Sequence, residues 1–182
     1  MEGGARPADR AVGRAEVVAT SRPRSLEALY LAEWVRLVRF AALLVGDVSA
    51  AEDVVQDAFV KLSAKTGGGW GATFEVSYLR TAVMNTSRSV LRRRDVALRH
   101  APGSQRAEGG ADQGAIRAFE QSAIVSALGR LPRRQREALA LRYYEGLSLA
   151  EIAATMGVTV GTVKSTLSKA TRACAALVED LR

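Results

Sequence analysis

The sequence predicts an all-α protein: two small helical domains, a helical bundle and a helix-turn-helix, joined by a flexible linker. Three observations carry that expectation. Apolar residues recur at three- and four-residue spacing through several stretches, the mark of helices that bury one stripe. Residues 26–95 offer no sheet pattern. The periodicity then lapses over 97–117, ALRHAPGSQRAEGGADQGAIR, where Pro102, Gly103, Gly109, Gly110 and Gly114 stand among scattered charges. A chain of 182 residues holds one medium or two small domains. The boundaries so placed are a tail over 1–25, a first domain over 26–96, the linker over 97–117 and a second domain over 118–182.

Residues 1–25 are rich in Ala, Gly and Arg without sustained periodicity and read as a mobile tail. Their start lacks the apolar core of a signal peptide. From Ser25 the pattern turns helical, with Leu26, Leu29, Tyr30, Trp34, Leu37, Val38, Ala41 and Val45 on one face and Gly46 as terminator. A second helix is expected from Ser49, boxed by Glu52, with Ala51, Val54, Val55, Ala58, Phe59 and Leu62 inward. Its outer face carries Glu52, Asp53, Gln56 and Asp57. An acidic face on a basic chain does not approach DNA closely, so it is either solvated or docks on a basic protein surface. Thr66 to Thr73 form a glycine-rich loop around Trp70. Without a closing Lys-Ser/Thr it is not a phosphate-binding loop.

A third helix is expected from about Phe74 to Val96. Tyr78, Leu79, Ala82, Val83, Thr86 and Val90 can face inward, leaving Arg80, Asn85, Arg88, Arg92, Arg93 and Arg94 outward. Cations crowd its C-terminal end, where they also suit the helix dipole. The second domain opens with a helix from about Ala118 to Gly129. Another follows from Leu131-Pro132 to Gly146, with Pro in the first turn, where its missing donor costs nothing.

Ser148 to Leu177 reads as a short helix, a glycine turn and a longer helix. Ser148 and Glu151 form a capping box, Gly157 takes the reversal, and Thr159 caps the second helix. Val163, Leu167, Ala170, Cys174 and Leu177 recur at 4, 3, 4, 3 spacing and bury. Thr162, Lys164, Ser165, Ser168, Lys169 and Arg172 lie outside that stripe, with no acid before Glu179. An ordinary helical hairpin with a basic outer side is the plain alternative. A very short first helix, glycine at the turn and small hydroxyls among the cations favour a helix-turn-helix whose second helix enters the major groove.

Net charge +7 directs the chain to polyanions, although charge alone does not separate nucleic acid from an anionic membrane. Only four of 26 cations are lysine, a bias that fits phosphate contacts or, with more weight, a GC-rich genome. No run of about 18 apolar residues appears, so no spanning helix is expected. The single Cys174 forms no internal disulfide and reads as a small core residue in a reducing cytoplasm. The single His100 has no clustered Cys, Asp or Glu around it in sequence. No metal site, cofactor or catalytic residue is expected, and the chain is not read as an enzyme.

Taken in order, several segments resemble one family. They are Ala51 to Phe59 (AEDVVQDAF), then Tyr78-Leu79-Arg80 through Asn85 to Arg92-Arg93-Arg94. In the second domain they are Leu131-Pro132, Leu141 to Tyr144 (LRYY), Ser148 to Ala153 (SLAEIA) and Gly161 to Ser165 (GTVKS). Their order and spacing resemble the extracytoplasmic-function group of bacterial RNA polymerase sigma factors, which keep the second and fourth conserved regions. The approach to Trp70 and the YLRTAVMNTSRSVLRRR stretch are most similar to the SigE-like actinobacterial subfamily.

The resemblance implies a promoter-specificity subunit whose partners are core RNA polymerase and promoter DNA, with room for an anti-sigma factor and no membrane partner. Asp53, Gln56 and Asp57 would dock on the β′ clamp. Arg80, Asn85, Arg88 and Arg92 would meet the −10 element, as would Trp70, for which a core plug is an equal reading. Thr162, Lys164, Ser165, Ser168, Lys169 and Arg172 would face the −35 groove. Arg133, Arg134 and Arg136 would meet phosphate or the β-flap. The chain departs from the family pattern at Ser89, where Asp is frequent, and at Thr166, where a long polar residue is frequent. The competing function is a free-standing helix-turn-helix regulator that binds its operator without polymerase.

Overall fold

A computed structural model describes residues 25–66, 76–100 and 123–179. The N-terminal tail, the loop bearing Trp70 and the linker segment 101–122 lie outside them. Among the described residues there are helices and no strand.

Helix α1 spans Leu26–Val45. Ser25 caps it by accepting the Ala28 N–H at 3.1 Å, and Gly46 ends it at φ 72°. That left-handed turn sets where α2 (Val48–Thr66) begins. The cap is not the expected Ser49 box: Asp47, one residue past the glycine, accepts the Ala50 N–H at 2.7 Å. A carboxylate already seated at the N-cap leaves Ser49 inside the first turn. Helix α3 runs Val76–His100, four residues beyond the expected end at Val96.

The remaining helices are α4 (Ala123–Arg130), α5 (Arg133–Leu139), α6 (Leu149–Met156) and α7 (Val160–Glu179). Pro132 sits at the N-cap of α5, one position before the expected first turn, its carbonyl accepting from Gln135 and Arg136. The end of α5 widens into a π-turn over Ala140–Tyr144, with the Glu145 N–H reaching back five residues to the Ala140 carbonyl.

Helices α1, α2 and α3 pack on one another, while α4, α5 and α6 pack around α7. Between these two groups stands the C-terminal half of α1, which also touches α4, α5 and the π-turn. From Leu37 to Val45 every side chain of α1 is buried except Arg39, which is half-buried. A helix covered all round has neighbours all round. The ring of Phe40 stacks 6.4 Å from that of Tyr144, whose hydroxyl donates to the Arg36 carbonyl at 3.1 Å. Burial of that phenol pushes its pKa up.

Arg136 lies in the same seam. Its guanidinium donates to the Leu44 carbonyl at 2.6 Å and to the Gly129 and Leu131 carbonyls at 3.1 and 3.2 Å. One side chain thereby satisfies orphan carbonyls at the C-terminal ends of both α1 and α4. Desolvation lowers its pKa. The expectation that Arg136 meets phosphate is therefore corrected: both its Nη groups are spent on backbone carbonyls inside the protein, and its Nε is buried. Fully buried Leu29, Leu37, Leu79, Leu141 and Ile152 anchor one continuous core, each stabilising the fold by about 2 kcal/mol through removal from water.

Candidate nucleic-acid interface

The local chemistry of α6 and α7 positions the most cationic face. The Ser148 side chain and the Glu151 carboxylate close a reciprocal box, with Ser148 N to Glu151 Oε2 at 2.8 Å and Glu151 N to Ser148 Oγ at 3.3 Å. The Ser148 hydroxyl also donates to Glu151 Oε2 at 2.6 Å, and this bond first, then that from the Ser148 N–H, favours the charged carboxylate, so the Glu151 pKa falls below its ordinary value. Gly157, at φ 67°, turns the chain. Thr159 then caps α7 by accepting the Thr162 N–H at 3.2 Å.

Val163 and Ala170 are fully buried, and Leu167, Cys174 and Leu177 pack beside them. That inward stripe fixes the azimuth of everything else on α7. Thr162, Lys164, Ser165, Ser168, Lys169 and Arg172 are all exposed on the outer side. Among the described residues none of its three cations enters an ion pair. Ser165 donates to the Thr162 carbonyl at 3.0 Å, and the Arg172 Nε lies 3.4 Å from the Ser168 carbonyl. The outcome is a smooth helical face, positive along its length, suited in width to a major groove.

The predicted residues of α3 divide. Asn85 and Arg92 are exposed. Asn85 lines a cleft of about 300 Å³ with Lys61, Tyr78, Ser89 and Arg93. The cleft is bounded by polar and cationic groups around one aromatic, with Lys61 held to Thr86 at 3.0 Å. Arg80 and Arg88 turn instead towards the second half of the chain. Arg80 Nε lies 2.7 Å from Glu145 Oε2, and Arg88 grips Glu137 with Nε and Nη2, both at 2.8 Å. That pairing raises the Arg88 pKa, the hydrogen bond to Glu137 outweighing desolvation. Nothing in the local pattern marks Glu137 and Glu145 as these partners, since they sit among basic and aromatic residues.

On α2, Asp53, Gln56 and Asp57 share an exposed face. Val60 continues that row and is 61% exposed, while Leu31 on α1 is 74% exposed. Tyr30 and Phe59 meet with ring centroids 5.1 Å apart, so these two apolar groups flank a real crossing of α1 over α2. Sequence reasoning passed over both. The signal was present for Val60, which stands seven residues after Asp53 on the same side.

No three His, Cys, Asp or Glu side chains converge among the described residues, and none of the described helices is long and apolar enough to cross a membrane. Burial raises the pKa of the Cys174 thiol.

Comparison with known proteins meets this geometry from outside. Residues 121–174, which hold α4 to most of α7, match the family described as Sigma-70, region 4. The RNA polymerase sigma-E factor of Streptomyces avermitilis is 33% identical over 160 residues, covering 85% of this chain and 87% of that protein. The ECF RNA polymerase sigma factor SigL of Mycobacterium tuberculosis is 29% identical over 183 residues, covering 93% and 98%. Among solved structures, the sigma factor RpoE of Bartonella quintana, crystallised in complex with the anti-sigma factor NepR, superposes with a TM-score of 0.66. It shares 27% identity and covers 86% of this chain and 98% of its own. With an all-α fold, a box-capped helix-turn-helix and relatives matched over nearly their full length, this chain belongs to the extracytoplasmic-function family of bacterial RNA polymerase sigma factors.

Proposed function

We propose that the chain is a promoter-specificity subunit acting in the cytoplasm, a binding factor rather than a catalyst. Residues 26–96 and 118–182 serve as its two reading domains. The observation that carries this is the sorting of exposed charge: acidic on α2, cationic on α7, with a packed core behind each. Asp53, Gln56 and Asp57 engage the β′ clamp of core polymerase, with Val60 and Leu31 as the apolar part of that contact. Thr162, Lys164, Ser165, Ser168, Lys169 and Arg172 read the −35 duplex, Lys and Arg neutralising phosphate or reading guanine and the hydroxyls allowing close approach.

On α3, Arg80, Arg88 and Arg92 contact backbone near the −10 element. The cleft beside Asn85 receives an unstacked base, the kind of group aromatic side chains hold. Trp70, outside the described residues, is a further candidate contact for unstacked bases of the −10 element. Exposed Arg133 and Arg134 meet phosphate or the β-flap. An anti-sigma factor is a further partner on this reading, supported by the complex formed by the Bartonella relative.

Run-off transcription with core polymerase, paired with gel shift without it, tests the proposal. Core-dependent initiation and no specific shift by the chain alone are expected. A specific shift without polymerase establishes the free-standing regulator instead.

A further inference from the structure

The chain's four lysines, among 26 cations, fall in two places. Lys61 and Lys65 stand near the end of α2, where Lys61 lines the cleft beside Asn85 and Lys65 lies over the ring of Tyr78 in the same cleft. Lys164 and Lys169 stand on the outer face of α7. Every other cation is arginine, whose guanidinium stays charged throughout the physiological range. A lysine amine, by contrast, loses its charge when it is acylated. Side-chain charge that acylation can remove is thus confined to the two surfaces read above as nucleic-acid faces.

The two pairs differ in their surroundings. Lys61 Nζ donates to Thr86 Oγ1 at 3.0 Å, and Lys65 Nζ sits 4.7 Å from the centroid of the Tyr78 ring, so both ammonium groups are engaged by α3. Lys164 and Lys169 are exposed, enter no ion pair among the described residues, and share α7 with no acid before Glu179. Arg172 Nε reaches back to within 3.4 Å of the Ser168 carbonyl, which sets a guanidinium next to Lys169 and one turn from Lys164. Three cations and several hydroxyls with no carboxylate make a face that gathers phosphate groups, whether they belong to a duplex or to a small molecule.

We propose that Lys164 and Lys169 are acylation sites that take a short acyl group from an acyl phosphate, and that their modification switches off −35 recognition. The proposal rests on the reading of α7 as a DNA-binding face. Arg172 and the neighbouring ammonium hold the donor's phosphoryl group by charge. The reacting ammonium gives one proton to solvent, and its amine attacks the carbonyl carbon. A C–N bond forms, the bond from that carbon to the bridging oxygen breaks, and phosphate leaves with the electron pair, taking up the second proton of the nitrogen. The product is a neutral amide where a cation stood, so two acylations leave only Arg172 of the three cations. Asp53, Gln56 and Asp57 form a face without lysine, so docking on polymerase is untouched.

The test treats the full chain with acetyl phosphate and, in a parallel arm, with acetyl-coenzyme A, a thioester donor. Peptide mass spectrometry follows each of the four lysines in time. Acetyl phosphate is expected to label Lys164 and Lys169 about ten-fold faster than Lys61 and Lys65, the low end of the enrichment a cationic face gives an anion. Arg172→Gln is expected to slow Lys169 about three-fold, as loss of one exposed charge contact does. Reconstituted holoenzyme is then titrated on promoter DNA across salt. Double acetylation is expected to lower the slope of log affinity against log salt by about 1.8, which over the decade from 1 M to 0.1 M is about sixty-fold. Co-purification with core polymerase is expected to persist. Lys164→Arg/Lys169→Arg is compared with its own untreated sample, and acetyl phosphate is expected to change its promoter affinity by less than about two-fold.

Equal labelling of all four lysines overturns the proposal, as does an unchanged salt slope in the doubly acetylated chain. An equal loss of affinity in the treated arginine variant overturns it too, since the effect would then lie elsewhere. Selective labelling by acetyl-coenzyme A and not by acetyl phosphate overturns the choice of donor. Run-off transcription with untreated protein separates this proposal from the one it rests on. Core-dependent initiation that acetylation leaves unchanged sinks the switch alone, whereas selective labelling of α7 without core-dependent initiation sinks the sigma reading and leaves the acylation sites standing.

Discussion

Replacing Lys164 and Arg172 with Ala tests the cationic face of α7 where it is least confounded by folding. Both side chains are exposed, and the helix is anchored by Val163 and Ala170 on the opposite side, each 0% accessible. Stability should therefore change by less than about 0.5 kcal/mol. Eight residues of α-helix place the two cations about 12 Å apart along the axis, comparable with the width of the major groove, so each is set to meet a different phosphate. Each neutralised phosphate contributes about 0.9 to the slope of log affinity against log salt, so the double variant should lose about 1.8. Across a four-fold change in salt, from 50 to 200 mM, the deficit relative to wild type should shrink by about twelve-fold. The assay is promoter binding by the reconstituted holoenzyme, titrated at several salt concentrations. Unchanged affinity and slope in the double variant would refute the assignment of this face. A lower affinity with an unchanged slope and relaxed −35 preference would move these residues from phosphate to base edges.

Three further outcomes follow from the same structure. Asp53→Arg with Asp57→Arg should abolish co-purification with core polymerase while far-ultraviolet circular dichroism stays helical; retained co-purification contradicts the docking face. Gly157→Ala should lower stability by about 1 kcal/mol in chemical denaturation, because φ 67° strains any side chain even though nothing lies within 4 Å of a Cβ built there. Glu151→Gln should flatten the acid limb of thermal stability. The folded-state pKa of Glu151 lies below its unfolded value, so its contribution is present above the unfolded pKa. That contribution disappears as pH falls through the folded one. The wild-type and variant midpoints should therefore converge once the pH falls below the ordinary carboxylate range.

Features governed by neighbouring residues were legible in the sequence. The Ser148–Glu151 box, the glycine ends at Gly46, Gly146 and Gly157, and the buried stripe of α7 each depend on a few consecutive positions. The start of α2 shows the limit of such reasoning, since Ser49 and Asp47 are both competent caps and only the turn at Gly46 selects the second. The partners of Arg80 and Arg88 were beyond reach because they lie 65 and 49 residues away. One clue to that packing did stand in the sequence. Phe40 to Val45 is apolar without interruption, too broad for a helix with a single neighbour, and the second neighbour proved to be α5 and its π-turn.

That wider turn has a bearing on how the chain tolerates insertion and deletion. One surplus residue in a helix rotates whatever follows by about 100° while adding little length. Tyr144 and Glu145 come at the end of such a turn, the first pointing at α1 and the second at α1 and α3. Losing a single amino acid from 140–144 would thus act as a twist, swinging an aromatic ring and a carboxylate off their seats together. Length variation is far better accommodated in segments whose azimuth nothing reads.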